Sequence, residues 1–412
     1  MDKFYKIPDT ASVLFNNEVE LLPSVNEIFE LELAYLEFKI LKKSDYIRRS
    51  AFAMKYLNEF TLHYLKYADI PQNIKDIRSV ATNAYFTNGL FSTGYATHSL
   101  FPYRGKFHPQ LIKAIINIIN IKEGETILDP MAGSGTTNIE AALMGINSYA
   151  IDISPFCQLM IKTKYDALTI NAELLEEINI NVDELFDFFN KGNILNIINK
   201  TSEDKRKIYY LFLLAFLDSL GYSKRVIRST HRQLFEKVLI RYKETVINIA
   251  KDKFYDNKIG KLEILQNSSA LDIILEDNSI DGIITSPPYS FAIDYVANDK
   301  DQLEYLGCNT ESLKNQLVGL KGKTITEKLE NYFTDMDRFC QEASRVLKKN
   351  KYLVIIIGSN TNQTGGIRLE DKVIESAHSY GLILVKTIIK PIKGMHNTMK
   401  EEYILFFKKE IN

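Results

Sequence analysis

The chain has 412 residues, 45% hydrophobic and 25% charged, with 51 Lys+Arg against 52 Asp+Glu. This is ordinary globular usage with room for sizeable cores, and the balanced charge excludes a global basic field, so any nucleic-acid contact must come from a local patch. Cys157, Cys308 and Cys340 form no CxxC pair, which argues against structural zinc and a disulfide framework and suits a reducing, cytoplasmic setting.

In chain order, Met1–Lys6 reads as no signal peptide, and the longest apolar run, Ile208–Leu217, is too short to span a bilayer. Ser24-Val25-Asn26-Glu27 has a capping-box pattern ahead of a helix from Ile28. A second helix is expected over Ser50–Tyr67, so residues 1–94 read as a helical region that packs across a main sheet. A turn-rich loop, Thr97–Gln110, leads into a helix with Pro109 in its first turn. His98 and His108 are too isolated to argue for a metal, and none is expected.

Thr126–Asp129 reads as a strand, followed by Pro130-Met131-Ala132-Gly133-Ser134-Gly135-Thr136-Thr137 and a helix. Gly133 and Gly135 can let backbone approach a ligand closely, because no Cβ intervenes. The loop is neither a P-loop nor a GxGxxG fingerprint. A second strand, Ser148–Ile151, ends in Asp152, and a glycine loop beside a strand-end acid can hold a nucleoside, the acid accepting from ribose hydroxyls.

From 167 to 258 the chain reads as a helical insertion. Between Lys224 and Lys253 it carries nine Lys/Arg against three acids. Lys224, Arg225, Arg228 and Arg232 are the candidate phosphate contacts, with Arg225, Arg228 and Arg232 expected on one helix face. Strand and helix alternation then resumes. Ile280–Ile284 is a buried strand running into Thr285-Ser286-Pro287-Pro288-Tyr289. Two prolines stop the strand and stiffen its end. Carbonyls, the Ser286 hydroxyl and the Tyr289 ring at one point could grip a planar amine. A helix at 331–347 and strands at 352–358, 382–389 and 403–408 complete an α/β pattern. The expected fold is a doubly wound, mostly parallel sheet with an antiparallel finish.

The two motifs together resemble the amino-directed DNA methyltransferases, particularly the N4-cytosine type. Asp129–Thr137 resembles that family's cofactor loop and Ser286-Pro287-Pro288-Tyr289 its catalytic loop. Ala292-Ile293-Asp294-Tyr295 and Leu303–Gly307 are similar to the tail of the cytosine enzymes. Phe101-Pro102-Tyr103-Arg104-Gly105-Lys106-Phe107 looks like the loop before the cofactor strand. The resemblance covers roughly 95–153 and 262–408. It implies a seven-stranded methyltransferase sheet whose cofactor half is 95–166 and catalytic half 259–412. The insertion at 167–258 takes the place of a target-recognition region.

It also implies S-adenosyl-L-methionine as cofactor, held by Lys106, Phe107, Asp129, Pro130, Ala132, Gly133, Ser134, Gly135, Thr136, Asp152 and Ile153. Ser286, Pro287, Pro288 and Tyr289 would be catalytic. Double-stranded DNA is the implied substrate and a cognate restriction endonuclease a possible counterpart, with no membrane partner. Where the family often has an acid facing the adenine amino group, this chain has Ser269 or Asn267. The competing readings are an N6-adenine DNA enzyme, a methyltransferase acting on RNA or a protein amide, and an inactive nucleic-acid-binding module.

Overall fold

A computed structural model describes residues 7–68, 94–103, 105–178, 181–192, 194–223, 229–251, 258–288, 294–358, 364–392 and 400–410. Its centre is a seven-stranded sheet. The strands are β4 (Thr126–Asp129), β5 (Asn147–Ala150), β6 (Leu262–Ile264), β7 (Ile280–Thr285), β8 (Leu347–Gly358), β9 (Leu382–Pro391) and β10 (Glu401–Lys409), in the order β6-β5-β4-β7-β8-β10-β9. The pairings from β6 through β8 are parallel, and β10 runs antiparallel to both β8 and β9. This is the doubly wound, mostly parallel sheet with an antiparallel finish.

The apolar strands are explained by layers on both faces, because a sheet covered twice has no solvent side. Along β8, Val354 and Ile356 join Ile127, Ile284 and Ile404 in one core. Leu353, Ile355 and Ile357 join Leu128, Ile283 and Leu405 in another. Period-2 alternation thus sorts one strand between two cores. The second core is closed by the helices Ile325–Val346 and Leu369–Ser379. The first is closed by the helix Pro109–Ile118 and the N-terminal region.

That N-terminal region is not all helical. It holds a three-stranded antiparallel sheet of β1 (Val19–Leu21), β2 (Ala53–Tyr56) and β3 (Glu59–Phe60). Of the helix expected over Ser50–Tyr67, the part up to Phe60 is instead the β2–β3 hairpin, and only residues 62–68 are helical. Leu57 and Asn58 take φ of 48° and 68°, the double left-handed turn that suits the twist of a two-residue hairpin. Thr61 closes it, its hydroxyl donating to the Ala53 carbonyl at 2.6 Å. The cap of the helix Ile28–Ile40 also differs from expectation. The capping box is formed by Glu27 and Glu30 rather than by Ser24 and Glu27: the Glu27 side chain accepts from the Glu30 amide, and Glu30 accepts from the Asn26 and Glu27 amides at 2.9 and 3.1 Å.

The N-terminal region is tied to the sheet by a buried polar cluster. Glu37, fully buried, accepts from Asn117 Nδ2 at 2.6 Å and from the Ala51 amide at 3.1 Å. Burial pushes its carboxyl up to about 7, with the Asn117 and Ala51 bonds pulling the other way. Asn117 Oδ1 accepts from Arg49 Nε at 3.1 Å, and Arg49 Nη2 donates to the Ile121 carbonyl at 2.8 Å. Such a network stabilises only while every member is partnered. Asn117→Ala, which removes one partner from each of Glu37 and Arg49, is expected to cost about 1–3 kcal/mol of unfolding free energy. Urea unfolding measures it, and a midpoint equal to that of the parent would show that the cluster does not hold the region.

Candidate active site

Strand order reverses between β4 and β7: the chain winds outward through β5 and β6, then returns to lay β7 beside β4. Crevices at such reversals, outside the carboxyl ends of the strands, are where open α/β sheets take ligands. The two strand ends are bolted together. Thr285 Oγ1, the last residue of β7, donates to Asp129 Oδ1, the last of β4, at 2.9 Å, with both side chains buried. Burial pushes the Asp129 carboxyl up to about 7 despite this bond and one from the Met131 amide.

Above the bolt lies a cavity of about 380 Å³, within the size range of small-ligand sites. The glycine loop forms one wall. Gly133 and Gly135 sit at φ 51° and 78°, where side chains are strained. At Gly135 a Cβ would also stand 2.9 Å from Ile161 Cγ1. The packing of the helix Pro155–Ala167 therefore demands that glycine, rather than a ligand's approach. Asp152, at the end of β5, accepts from the Gly133 amide and the Ser154 amide, both at 2.8 Å. One carboxylate so fixes the loop and the start of the next helix. Burial pushes it up to about 6.

Most of the expected residues converge here. Lys106, Phe107, Pro130, Ala132, Gly133, Ser134, Thr136, Asp152 and Ile153 line the cavity from the β4–β5 side, and Ser286 and Pro288 from β7. Pro287 is buried between them. Asp129 and Gly135 do not line it: Asp129 is the bolt beneath and Gly135 a packing point behind. Lys106 donates to the His98 carbonyl at 2.6 Å, and burial lowers it to about 8. Ser269 borders the cavity between β6 and β7, beside Ala270 and Leu271. Tyr289, Arg104, Ala292 and Ile293 lie outside the described residues. Among the described residues, no group of three His, Cys, Asp or Glu could hold a metal ion.

Sequence reasoning passed over Tyr103, Cys157 and Asp299, which also face the cavity. Tyr103 stacks on Tyr295 with ring centroids 6.4 Å apart, so the conspicuous Asp294-Tyr295 pair was a usable signal. Asp299 had none. In Asn298-Asp299-Lys300-Asp301 it reads as one more helix cap.

The basic insertion differs from expectation. One helix ends at Ser223 and the next starts at His231. Ser229 and Thr230, just before the second helix, are not helical, so Arg232 sits in the first turn of a new helix. Thr230 and Gln233 cap each other, the Gln233 amide donating to Thr230 Oγ1 at 3.3 Å and the Thr230 amide to Gln233 Oε1 at 3.0 Å. Lys224, Arg225 and Arg228 lie outside the described residues, and Arg232 is paired with Asp183. The insertion also braces the cavity. Tyr242, buried, donates to Asp218 at 3.0 Å and accepts from the Phe101 amide at 2.7 Å. Gln302 Nε2 reaches the Leu217 carbonyl at 3.0 Å.

With this geometry in hand, the comparisons with known proteins agree on a class. A family model described as "RMKL-like, methyltransferase domain" matches residues 99–306, and one described as "DNA methylase" matches 17–162. The chain is 25% identical over 301 residues to Type II methyltransferase M.BsoBI of Geobacillus stearothermophilus, which covers 57% of this chain and 58% of that protein. It is 22% identical over 462 residues to Type II methyltransferase M.MvaI of Kocuria varians, covering 87% and 100%. Type II methyltransferase M.MjaII of Methanocaldococcus jannaschii is 31% identical over 163 residues, covering 39% and 29%. The match thus spans little more than half of the Geobacillus protein and all of the Kocuria protein. Because the first family model takes in just over half of the chain, the protein belongs to the RMKL-like methyltransferase domain family, and its cofactor is S-adenosyl-L-methionine.

Proposed function

We propose that the protein is a site-specific DNA methyltransferase that transfers the methyl group of S-adenosylmethionine to the exocyclic N4 of a flipped cytosine. It would serve a restriction–modification or DNA-modification system, with a restriction endonuclease as counterpart. The observation that carries this is the single cavity bordered by the glycine loop, Asp152 and Ser286-Pro287-Pro288. Similarity to the Type II methyltransferases supports DNA as substrate.

The cavity fits the cofactor chemically. A strand-end carboxylate at Asp152 can accept ribose hydroxyls while its bonds to Gly133 and Ser154 keep it aimed. The cofactor's sulfonium makes its methyl group a good electrophile. What remains for the chain is to position and activate a poor nucleophile, an amino nitrogen whose lone pair is delocalised into the ring. In this proposal the Ser286 hydroxyl and the Pro287 carbonyl accept the two amino hydrogens and favour a pyramidal nitrogen; as its lone pair forms the N–CH3 bond the S–CH3 bond breaks, S-adenosylhomocysteine leaves, and one amino proton is lost to water. Neither proline can donate to a ladder, so the strand stops there and its carbonyls stay available. The base must leave the duplex to enter. Tyr289, which lies outside the described residues, is assigned stacking on that base, worth roughly 1–3 kcal/mol. Either base presents the same kind of amino group, and the choice of cytosine over adenine rests on Ser286 and the Ala292-Ile293-Asp294-Tyr295 tail, of which Ala292 and Ile293 lie outside the described residues.

Ser286→Ala is expected to lower turnover roughly 10- to 100-fold while cofactor affinity holds, because the lost bond matters most as the nitrogen rehybridises. Single-turnover methyl transfer measures it; a parental rate removes Ser286 from the clamp. Nucleoside mass spectrometry of the reacted DNA names the base, and N6-methyladenine alone would reject cytosine. Asp152→Ala is expected to weaken cofactor binding about tenfold or more by calorimetry, and unchanged affinity would leave that carboxylate a purely structural brace. For DNA, replacing Arg225, Arg228 and Arg232 together should flatten the plot of log K against log salt by roughly 0.9 for each phosphate no longer neutralised. An unchanged slope would make that stretch a solvated face.

A further inference from the structure

Asp299 is the one acid in the cavity whose presence the proposed chemistry leaves unexplained. It stands between the short helices Tyr295–Asn298 and Lys300–Tyr305, and its side chain makes no capping bond to the second. Only 9% of its surface is exposed, yet it borders the cavity. Its backbone accounts for the local structure, accepting from the Leu303 amide at 2.9 Å and donating to the Tyr295 carbonyl at 3.0 Å. Lys106 and Lys321 are the cations bordering the cavity among the described residues. Lys106 is held by the His98 carbonyl, and Lys321 pairs with Asp335 at 2.8 Å. Among the described residues, the charge of Asp299 raises Tyr103, Cys157 and Tyr295, and that of Asp152 raises Asp299; none of these is a cation.

A carboxylate that faces a cavity with no donor from the described residues is left to bond whatever fills that cavity, water or a ligand. Three partners are chemically available on the cofactor. Ribose hydroxyls offer hydrogen bonds but no charge, and Asp152 already suits them. The sulfonium offers charge but no hydrogen. The α-ammonium offers both, which is what an unpaired buried carboxylate lacks. We propose that Asp299 receives the α-ammonium group of the cofactor's methionine moiety, dividing the cofactor with Asp152 at the ribose. The inference rests on the methyltransferase reading above.

Burial pushes the Asp299 carboxyl up to about 7, with Asp152 adding to the rise. An acid held above its ordinary value costs the fold stability, a cost absent below the unfolded pKa of about 4 and complete above about 7. Asp299→Asn in the full chain should therefore melt no lower than the parent, and Asp299→Ser offers the same neutral comparison should the amide pack badly. Calorimetry above that pH would compare S-adenosylhomocysteine with 5′-methylthioadenosine, which has no amino-acid moiety. The neutral variant is expected to bind S-adenosylhomocysteine about tenfold or more weaker and 5′-methylthioadenosine within about twofold of the parent. Unchanged S-adenosylhomocysteine affinity, or equal losses for both ligands, would overturn the assignment of Asp299 alone. A parent chain that binds neither ligand would overturn the methyltransferase reading with it.

Discussion

The hydrogen bond from Thr285 to Asp129 is the constraint on which the site depends. Two parallel strands from distant parts of the sequence end side by side, 156 residues apart in the chain, and this bond joins their last side chains. The loop after β4 carries the glycines, and the loop after β7 carries Ser286-Pro287-Pro288. With the roots of both loops fixed to each other, a group held by one stands at a set distance from a group held by the other. Methyl transfer in line between a bound donor and a bound amine is sensitive to displacement on the scale of an ångström. The position of Asp129, buried and with its carboxyl pushed up to about 7, shows what is spent on that rigidity.

Acids of similar appearance divide by their partners. Asp129 is filled by protein donors and holds the strands. Asp152 is half filled by two backbone amides that preorganise it while leaving acceptor capacity toward the cavity it borders. Asp299 borders the same cavity with no donor of its own among the described residues. In this order the three form a gradient from structure to ligand, set by how many N–H and O–H groups the fold supplies. A carboxylate already saturated has nothing left to offer a ligand, while an unsaturated buried one calls for it.

What the sequence revealed follows the same logic. The strands β7 and β8 were legible because burial on both faces leaves apolar runs, and β4 and β5 because short strands there run into an acid at the turn that follows. The N-terminal hairpin was not. Leu57 at φ 48° is a conformation its side chain disfavours, so the turn is imposed by the packing of Ala53 and Phe52 and by Thr61. Local propensity there pointed to a helix. The place of Asp129 also escaped, because a strand-end acid facing a ligand and one facing a neighbouring strand are identical in sequence. Asp299 escaped because, in sequence, nothing separates it from an ordinary helix cap; what sets it apart is its place on the cavity without a side-chain donor among the described residues.

The insertion is coupled to the cavity as well as to its own core. As a separate recognition module it would need only to present cations to phosphates. Instead its helix His231–Lys251 places Tyr242 against the Phe101 amide, which heads the segment carrying Tyr103, Lys106 and Phe107 into the cavity. Its partner helix Glu203–Ser223 supplies Asp218 to the same tyrosine and the Leu217 carbonyl to Gln302, three residues beyond Asp299. Phe101, Phe156, Phe216, Tyr242 and Leu303 share one core. A displacement of these helices by a bound partner therefore acts on both walls of the cavity through buried, close-packed contacts, which transmit strain rather than absorb it. The insertion's helices and the cavity walls are thereby mechanically joined, and the join runs through Tyr242.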